Sequence, residues 1–132
     1  MMKFSLLDKW SPQLLSLLRI VIGFLFFWHG CDKILHYPGM MGDKPLPTLI
    51  EVAGLLELIG GALMFLGLFT KPVAFILSGE MAFAYFMAHA PGGLLPYVNH
   101  GEPAVFYCFV FLYFAAAGGG PVSLDAMMGK RK

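Results

Sequence analysis

Charged residues are scarce in this chain, and their scarcity excludes two common kinds of protein. Asp, Glu, Lys and Arg together make up 13% of the 132 residues, and the formal net charge is +1. Soluble domains carry about 25% charged residues, and domains that bind nucleic acid carry a clear basic excess. A water-soluble domain is therefore not expected, and no nucleic-acid partner is expected either.

Cysteine is also rare, since only Cys31 and Cys108 are present. Two cysteines are too few for a disulfide scaffold, and they match no zinc-ligand spacing. Both are predicted near the same surface of a membrane, so a disulfide or a redox-active thiol pair is one interpretation. The other interpretation is that each is a small packing residue. No metal site is predicted.

Apolar residues are abundant and fall into four long runs. They make up 58% of the chain, whose mean hydropathy is +0.74. A helix needs about 20 mostly apolar residues to cross a bilayer, and β-barrel strands would alternate instead. We predict an all-α fold, an integral membrane four-helix bundle that forms a single domain over residues 1–132. Its helices are expected at about 14–35, 49–69, 72–90 and 104–118.

Lysine and arginine residues near the ends of the runs predict the orientation. Two of them, Lys33 and Lys44, flank one side of the membrane, and six flank the other: Lys3, Lys9, Lys71, Lys130, Arg131 and Lys132. The side with more basic residues is usually cytoplasmic. Both termini are therefore expected in the cytoplasm.

Three charged residues, Arg19, Glu57 and Glu80, are predicted deep in the membrane. A charge at that depth costs about 2.5–3.5 kcal/mol on insertion scales, so each is a candidate functional residue. The rise of a helix matches the depth of Arg19 best with Glu80 and next with Glu57. One arginine cannot neutralise two carboxylates, so we expect the surplus one to be protonated. This polar centre either clamps three helices together or handles protons or a ligand.

A second set of polar residues is predicted at the outer mouth of the same site. It consists of His29, His89, His100 and Glu102. They lack a tight metal-ligand spacing, so ordinary interfacial roles are favoured. Aromatic side chains near Phe24, Phe27 and Trp28 offer a possible pocket for a quinone ring, with simple packing as the alternative.

Several segments resemble the DoxX family of small bacterial membrane proteins. The first helix resembles that family's first helix through LLRIVIGFLFFWHGCDKIL, with Arg19, Gly30 and Lys33. The second resembles its signature ELIGG…GLF, with Glu57, Gly60, Gly61 and Gly67. The end of the chain resembles the family through HAPGGLLPYVNHGEP and GGGPVSLD, with His89, Glu102, Gly118, Gly120, Ser123, Leu124 and Asp125. The resemblance spans about 14–126, and it departs from the family at Gly119 and in loop 36–48.

The resemblance implies a multi-pass protein of the bacterial inner (plasma) membrane. Some relatives are quinone-reactive, as in the membrane subunit of thiosulfate:quinone oxidoreductase, and others join membrane oxidoreductase complexes. We therefore expect a quinone- or thiol-linked subunit of such a complex, surrounded by lipid and bound to a partner protein or to further copies of itself. Without a haem, flavin or iron–sulfur motif, electrons must pass through a quinone, the thiols or another protein. The alternatives are a small proton-coupled transporter and a structural or assembly subunit.

Overall fold

Helices account for all the regular secondary structure in the part of the chain that the structure describes. The computed structural model describes residues 5–42 and 44–129, so the predicted flanking residues Lys3, Lys130, Arg131 and Lys132 lie outside it. The helices are α1 (Ser11–Leu35), α2 (Thr48–Leu66), α3 (Thr70–Ala84), α4 (Pro96–Asn99), α5 (Glu102–Ala117) and α6 (Leu124–Met127). The predicted all-α class is confirmed.

Glycine and proline set the ends of the long helices. Pro12 lies in the first turn of α1, where its missing N–H would have no helical partner. Gly67 ends α2 with φ 71°; its own N–H donates to the carbonyl oxygen of Met64, and the N–H of Leu68 donates to that of Leu63. This left-handed cap joins α2 to α3 by a turn of only three residues.

Among the described residues, three helical segments are long and apolar enough to cross a membrane. They are Asp8–Leu35, Thr48–Leu66 and Thr70–Gly92, the last being α3 extended by a π turn (Tyr85–His89) and a 3-10 turn (Ala90–Gly92). The predicted fourth run corresponds to α5, which is apolar but has only 16 residues. It is therefore shorter than the about 20 residues of a typical span.

Glycine residues bring α1 and α2 into direct backbone contact. A Cβ atom added to Gly23 would lie 2.4 Å from the backbone nitrogen of Phe65, and one added to Gly30 would lie 2.2 Å from that of Leu58. Gly61 approaches the backbone of Phe27 in the same way. Small residues allow membrane helices to pack this closely. The helices thus form two closely packed pairs, α1 with α2 and α3 with α5.

The middle of the bundle is a purely apolar core. Its fully buried members come from four helices: Phe26, Met64, Ala74, Leu77, Phe111 and Phe114. Large apolar side chains such as Phe75, Phe86 and Phe106 are instead exposed on the outside, as expected for helices that face lipid. We call the end where α1 begins the Ser11 end, and the end where α1 finishes the Leu35 end.

Candidate functional site

Arg19 lies near the Ser11 end and bonds to backbone carbonyl groups. Its side chain is 1% exposed. Nε donates to the carbonyl oxygen of Met64 at 2.8 Å, and Nη1 donates to that of Gly119. A weaker bond joins Nη2 to the carbonyl oxygen of Phe65 at 3.4 Å. The guanidinium group is therefore held by the end of α2 and by the segment that follows α5.

The predicted pairing of Arg19 with Glu80 or Glu57 is therefore wrong. Its contacts on α2 lie seven or eight residues after Glu57, which is about 10 Å along the helix. The last carbonyl groups of a helix have no partner within it, and they carry the negative end of the helix dipole. They bind the guanidinium group in place of the carboxylates of Glu57 and Glu80.

Residues after α5 complete this arginine cluster, which consists of Ser16, Arg19, Ser123 and Asp125. The hydroxyl group of Ser16 donates to the carbonyl oxygen of Gly119 at 3.0 Å and accepts from the N–H of Val122. The carboxylate of Asp125 accepts the N–H groups of Phe69 and Thr70, both at 2.9 Å. Since these N–H groups begin α3, Asp125 acts as a cap for that helix. The cluster ties the C-terminal segment to three helices.

Two glycine residues make room for the arginine cluster. Gly67 has φ 71°, and a Cβ atom there would lie 2.5 Å from Cβ of Ser123 and 2.8 Å from Cζ of Arg19. Gly120 has φ 80°, and a Cβ atom there would lie 2.3 Å from Oγ of Ser16. Both positions therefore need glycine for conformation and for space.

Lys33, near the Leu35 end, is the cation that pairs with a buried glutamate. Its Nζ lies 2.6 Å from Oε1 of Glu57, whose side chain is 2% exposed. Gly54 permits this approach, because a Cβ atom there would lie 2.6 Å from Cβ of Lys33. This role was not predicted, because Lys33 lies at the end of an apolar run, where lysine is typical of a membrane flank. The available signal was the length of a lysine side chain, which can cross several ångströms of apolar surface.

Glu80 of α3 completes the lysine–glutamate cluster, which consists of Lys33, Glu57 and Glu80. Its carboxyl group lies beside that of Glu57 and within the electrostatic reach of Lys33. Both carboxyl oxygens of Glu80 are buried, and among the described residues neither has a hydrogen-bond partner of normal geometry. One lysine thus faces two carboxyl groups, and a second negative charge there would be uncompensated and costly.

A cavity of about 660 Å³ adjoins this cluster at the Leu35 end. Much of its wall is apolar, and its aromatic rings belong to Phe26, Trp28 and Tyr107. Of the aromatic residues predicted for a quinone pocket, Trp28 lines the cavity, while Phe24 packs edge-on against Trp28 and is 49% exposed. The polar lining consists of His29, Asp32, Lys33, Glu57 and His89.

The loop after α1 covers part of the cavity and is held there by Asp32. The Asp32 carboxylate accepts the N–H groups of Gly39 at 2.7 Å, Met40 at 2.9 Å and Met41 at 3.1 Å. Met40 and Met41 in turn line the cavity. Asp32 is therefore an anchor for loop 36–42.

The predicted outer-mouth residues divide into two pairs. His29 and His89 line the cavity, and Nδ1 of His89 lies 3.3 Å from the carbonyl oxygen of Asn99. His100 and Glu102 are exposed between α4 and the start of α5. Within the described residues, no group of three or more His, Cys, Asp or Glu side chains is arranged to hold a metal ion.

The two cysteine thiols are free, one on α1 and one on α5. Cys31 is buried and Cys108 is partly buried. The hydroxyl group of Ser78 donates to the carbonyl oxygen of Cys108 at 2.7 Å and lies 3.6 Å from its sulfur. This geometry matches the interpretation of Cys108 as a packing residue, and a redox role for the pair stays a prediction.

Comparison of the sequence with known proteins identifies its family. The DoxX family model matches residues 14–90, which contain Arg19 and the whole lysine–glutamate cluster. An uncharacterized protein of Haemophilus influenzae is 44% identical over 129 residues, covering 90% of this chain and 93% of the relative. "Putative oxidoreductase CatD" of Bacillus subtilis is 28% identical over 120 residues, covering 88% and 87%. No solved structure matches the chain. The chain therefore belongs to the DoxX family of membrane proteins.

Proposed function

We propose that this protein is a redox-linked membrane subunit that binds a quinone in the cavity at the Leu35 end. The observation that carries the proposal is an apolar cavity lined by Glu57, whose carboxyl group lies beside the buried carboxyl group of Glu80. Sites for small molecules combine apolar walls with a few polar groups. The naming of the Bacillus subtilis relative as an oxidoreductase supports the redox part.

The residues of the cavity fit the head of a quinone, which is flat, largely apolar and carries carbonyl oxygens. The volume of about 660 Å³ lies within the about 300–1,000 Å³ of small-molecule sites. Phe26, Trp28 and Tyr107 offer rings against which such a head can pack. When bound, a quinone supplies electron-transfer chemistry that the protein's own side chains lack.

The lysine–glutamate cluster would handle protons beside that ligand. Glu57 contacts the cavity, and Glu80 lies beside Glu57. The cluster has one lysine and two carboxyl groups. Its net charge is zero when the two carboxyl groups share one proton. Glu57 is placed to pass that proton between Glu80 and the cavity. Electrons would come from a partner oxidoreductase subunit or pass to it.

We also propose four spans in the bacterial inner membrane, with α5 as the fourth and both termini in the cytoplasm. Lys9 and Lys71 lie at the Ser11 end, as the charge rule requires of a cytoplasmic side. Lys33, which counted against this orientation, is engaged with Glu57 inside the bundle. Labelling of single cysteines at His100 and Lys71 with a membrane-impermeant thiol reagent tests this, after Cys31 and Cys108 are replaced. Labelling of intact cells at position 71 would contradict it.

A proton-coupled transporter is the second candidate, because an unpaired carboxyl group in a membrane is a possible proton carrier. The apolar core argues against it. Phe26, Met64, Leu77, Phe111 and Phe114 are each at most 1% exposed and separate the lysine–glutamate cluster from the Ser11 end. A structural subunit is the third candidate, and the arginine cluster is the feature that favours it.

The test measures binding rather than turnover, because no partner reductase is identified. It uses the purified full chain in lipid nanodiscs. Binding of decylubiquinone, a short-chain quinone, is measured by equilibrium dialysis. The carboxyl C=O infrared band is recorded with and without the quinone. We expect saturable binding, and we expect Glu80→Gln to remove a carboxyl band that shifts on binding without altering stability by more than about 1 kcal/mol. Glu51→Gln is the matched control, since Glu51 is exposed in the first turn of α2. Absence of saturable binding by the unmodified protein would overturn the proposal.

A further inference from the structure

Most polar groups in the cavity at the Leu35 end already have partners. Lys33 and Glu57 bond to each other, Asp32 accepts three N–H groups of the loop, and His89 lies against Asn99. Two polar side chains of the lining remain, the imidazole of His29 and the hydroxyl group of Tyr107. No residue in 5–42 or 44–129 forms a hydrogen bond with either, so both are available to a ligand.

His29 and Tyr107 face each other across the seam between α1 and α5. Their ring centroids are 5.9 Å apart, and the rings are nearly perpendicular at 84°. Both rings rest on Phe26, at 6.1 Å for His29 and 5.0 Å for Tyr107. Phe26 is 1% exposed, so both rings pack against a fully buried side chain. The two rings therefore lie next to each other in the lining of the cavity.

The same seam connects the cavity to the lipid-facing surface. Leu25 and Trp28 are 47% and 37% exposed on the outside of α1, and both also line the cavity. The other contacts of α1 are closed, because its glycine residues bring its backbone against that of α2. A molecule dissolved in the bilayer can therefore reach the cavity between α1 and α5 without separating the closely packed helix pairs.

We infer that His29 and Tyr107 form a clamp for the polar head of a lipid-soluble ring compound that enters between α1 and α5. The ligand class is a flat, neutral molecule with a carbonyl or hydroxyl oxygen on its ring. The Tyr107 hydroxyl group donates to that oxygen, and His29 donates or accepts according to its tautomer. The clamp would select ligands by this oxygen, because a site built to hydrogen-bond an oxygen rejects a ligand that lacks it. The inference rests on the proposed function and names its headgroup contacts.

The first test compares two probes and three variants in nanodiscs. The probes are decylubiquinone and decylbenzene, which has a ring and a tail but no ring oxygen. We expect Tyr107→Phe and His29→Leu each to weaken decylubiquinone binding about tenfold, as loss of one hydrogen bond allows. Neither should change the weak binding of decylbenzene. Tyr97→Phe is the matched control, since Tyr97 is 79% exposed on α4. Thermal unfolding of each variant verifies that the fold is intact, and Tyr107→Phe keeps the ring that packs on Phe26.

The second test follows access through the seam by fluorescence. Trp10 and Trp28 are the two tryptophans of the chain, so Trp10→Phe leaves Trp28 as the reporter. We expect lipids with brominated acyl chains to quench Trp28, and we expect decylubiquinone to quench it saturably at the concentrations that fill the site. Saturable binding of the quinone without an effect on Trp28 would overturn the lateral route.

The outcomes separate this inference from the proposed function. If the unmodified protein binds no decylubiquinone, the proposed function fails and the clamp fails with it. If the protein binds the quinone, but Tyr107→Phe and His29→Leu bind it equally well, the clamp is wrong while the proposed function stands. Equal affinity for decylbenzene and decylubiquinone would also overturn the clamp.

Discussion

The two ends of the bundle meet the cost of a buried charge in different ways. At the Ser11 end, Arg19 is surrounded by carbonyl acceptors from the end of α2 and from Gly119. At the Leu35 end, Lys33 pairs with Glu57, and among the described residues the buried carboxyl oxygens of Glu80 have no hydrogen-bond partner of normal geometry. A buried charge surrounded by acceptors stabilises one arrangement of helices, whereas a buried carboxyl group with few partners keeps the capacity to bind or exchange a ligand or a proton. The Ser11 end therefore ties helices together, and the Leu35 end is the one at which a ligand site is proposed.

The largest expected effect is on stability, at the Ser11 end. Arg19→Leu removes the guanidinium donor from the carbonyl groups of Met64 and Gly119, which keep only the Gly67 N–H and the Ser16 hydroxyl group. We expect a loss of about 3–5 kcal/mol, because two buried hydrogen bonds from a charged group are lost. Arg19→Lys should lose less, because it keeps the charge. Unfolding in detergent, followed by circular dichroism, measures both. Stability close to that of the unmodified protein would show that the two ends do not differ as described.

An intermediate effect is expected from the ion pair at the Leu35 end. Glu57→Leu removes the ion pair of the partly buried Lys33 and leaves only the more distant carboxyl group of Glu80 near it, and we expect a loss of about 2–4 kcal/mol in unfolding free energy. The double variant Lys33→Met, Glu57→Leu should recover most of this loss, since replacing a whole buried pair by apolar residues is often neutral. Its quinone binding should remain impaired. A double variant less stable than Glu57→Leu would contradict the assignment of Lys33 and Glu57 as a pair.

The smallest expected effect compares two glycine residues. Gly67→Ala introduces a side chain at φ 71° and against Arg19, and we expect it to cost about 1–3 kcal/mol. Gly79→Ala is the control, because a Cβ atom there meets nothing within 4 Å. It lies inside α3 and should be neutral or stabilising by up to about 1 kcal/mol. Equal changes in melting temperature would refute the close packing of Gly67 against the arginine cluster.

The sequence predicted the helices better than it predicted the partners of their charges. The length of an apolar run indicates the length of the helix, so the observed helix bounds lie close to the predicted ones. The closely packed glycine residues Gly23 and Gly30 were likewise visible as small residues in apolar runs. The partners of Arg19 were not visible, because backbone carbonyl groups belong to every residue and only the folded chain shows which of them are free. Lys33 was misjudged because its position in the sequence says nothing about the direction in which a long side chain extends.

The candidate site shows the same limit. His29, Glu57 and Glu80 were predicted as polar residues inside or near the membrane, and the structure places all three around the cavity or beside it. Tyr107 was not predicted as a site residue, because one tyrosine in the apolar run EPAVFYCFVFLYF resembles any other. Its distinction comes only from facing His29 across the seam between α1 and α5.

The contact between Arg19 and Gly119 joins residues that are 100 positions apart. A ribosome makes the arginine long before it makes that acceptor, so a nascent chain holds a guanidinium group in the bilayer with only part of its ligands. Completion of the last helix and its exit segment then supplies the missing carbonyl group. A chain truncated before Gly119 therefore lacks one of the carbonyl acceptors of its buried arginine.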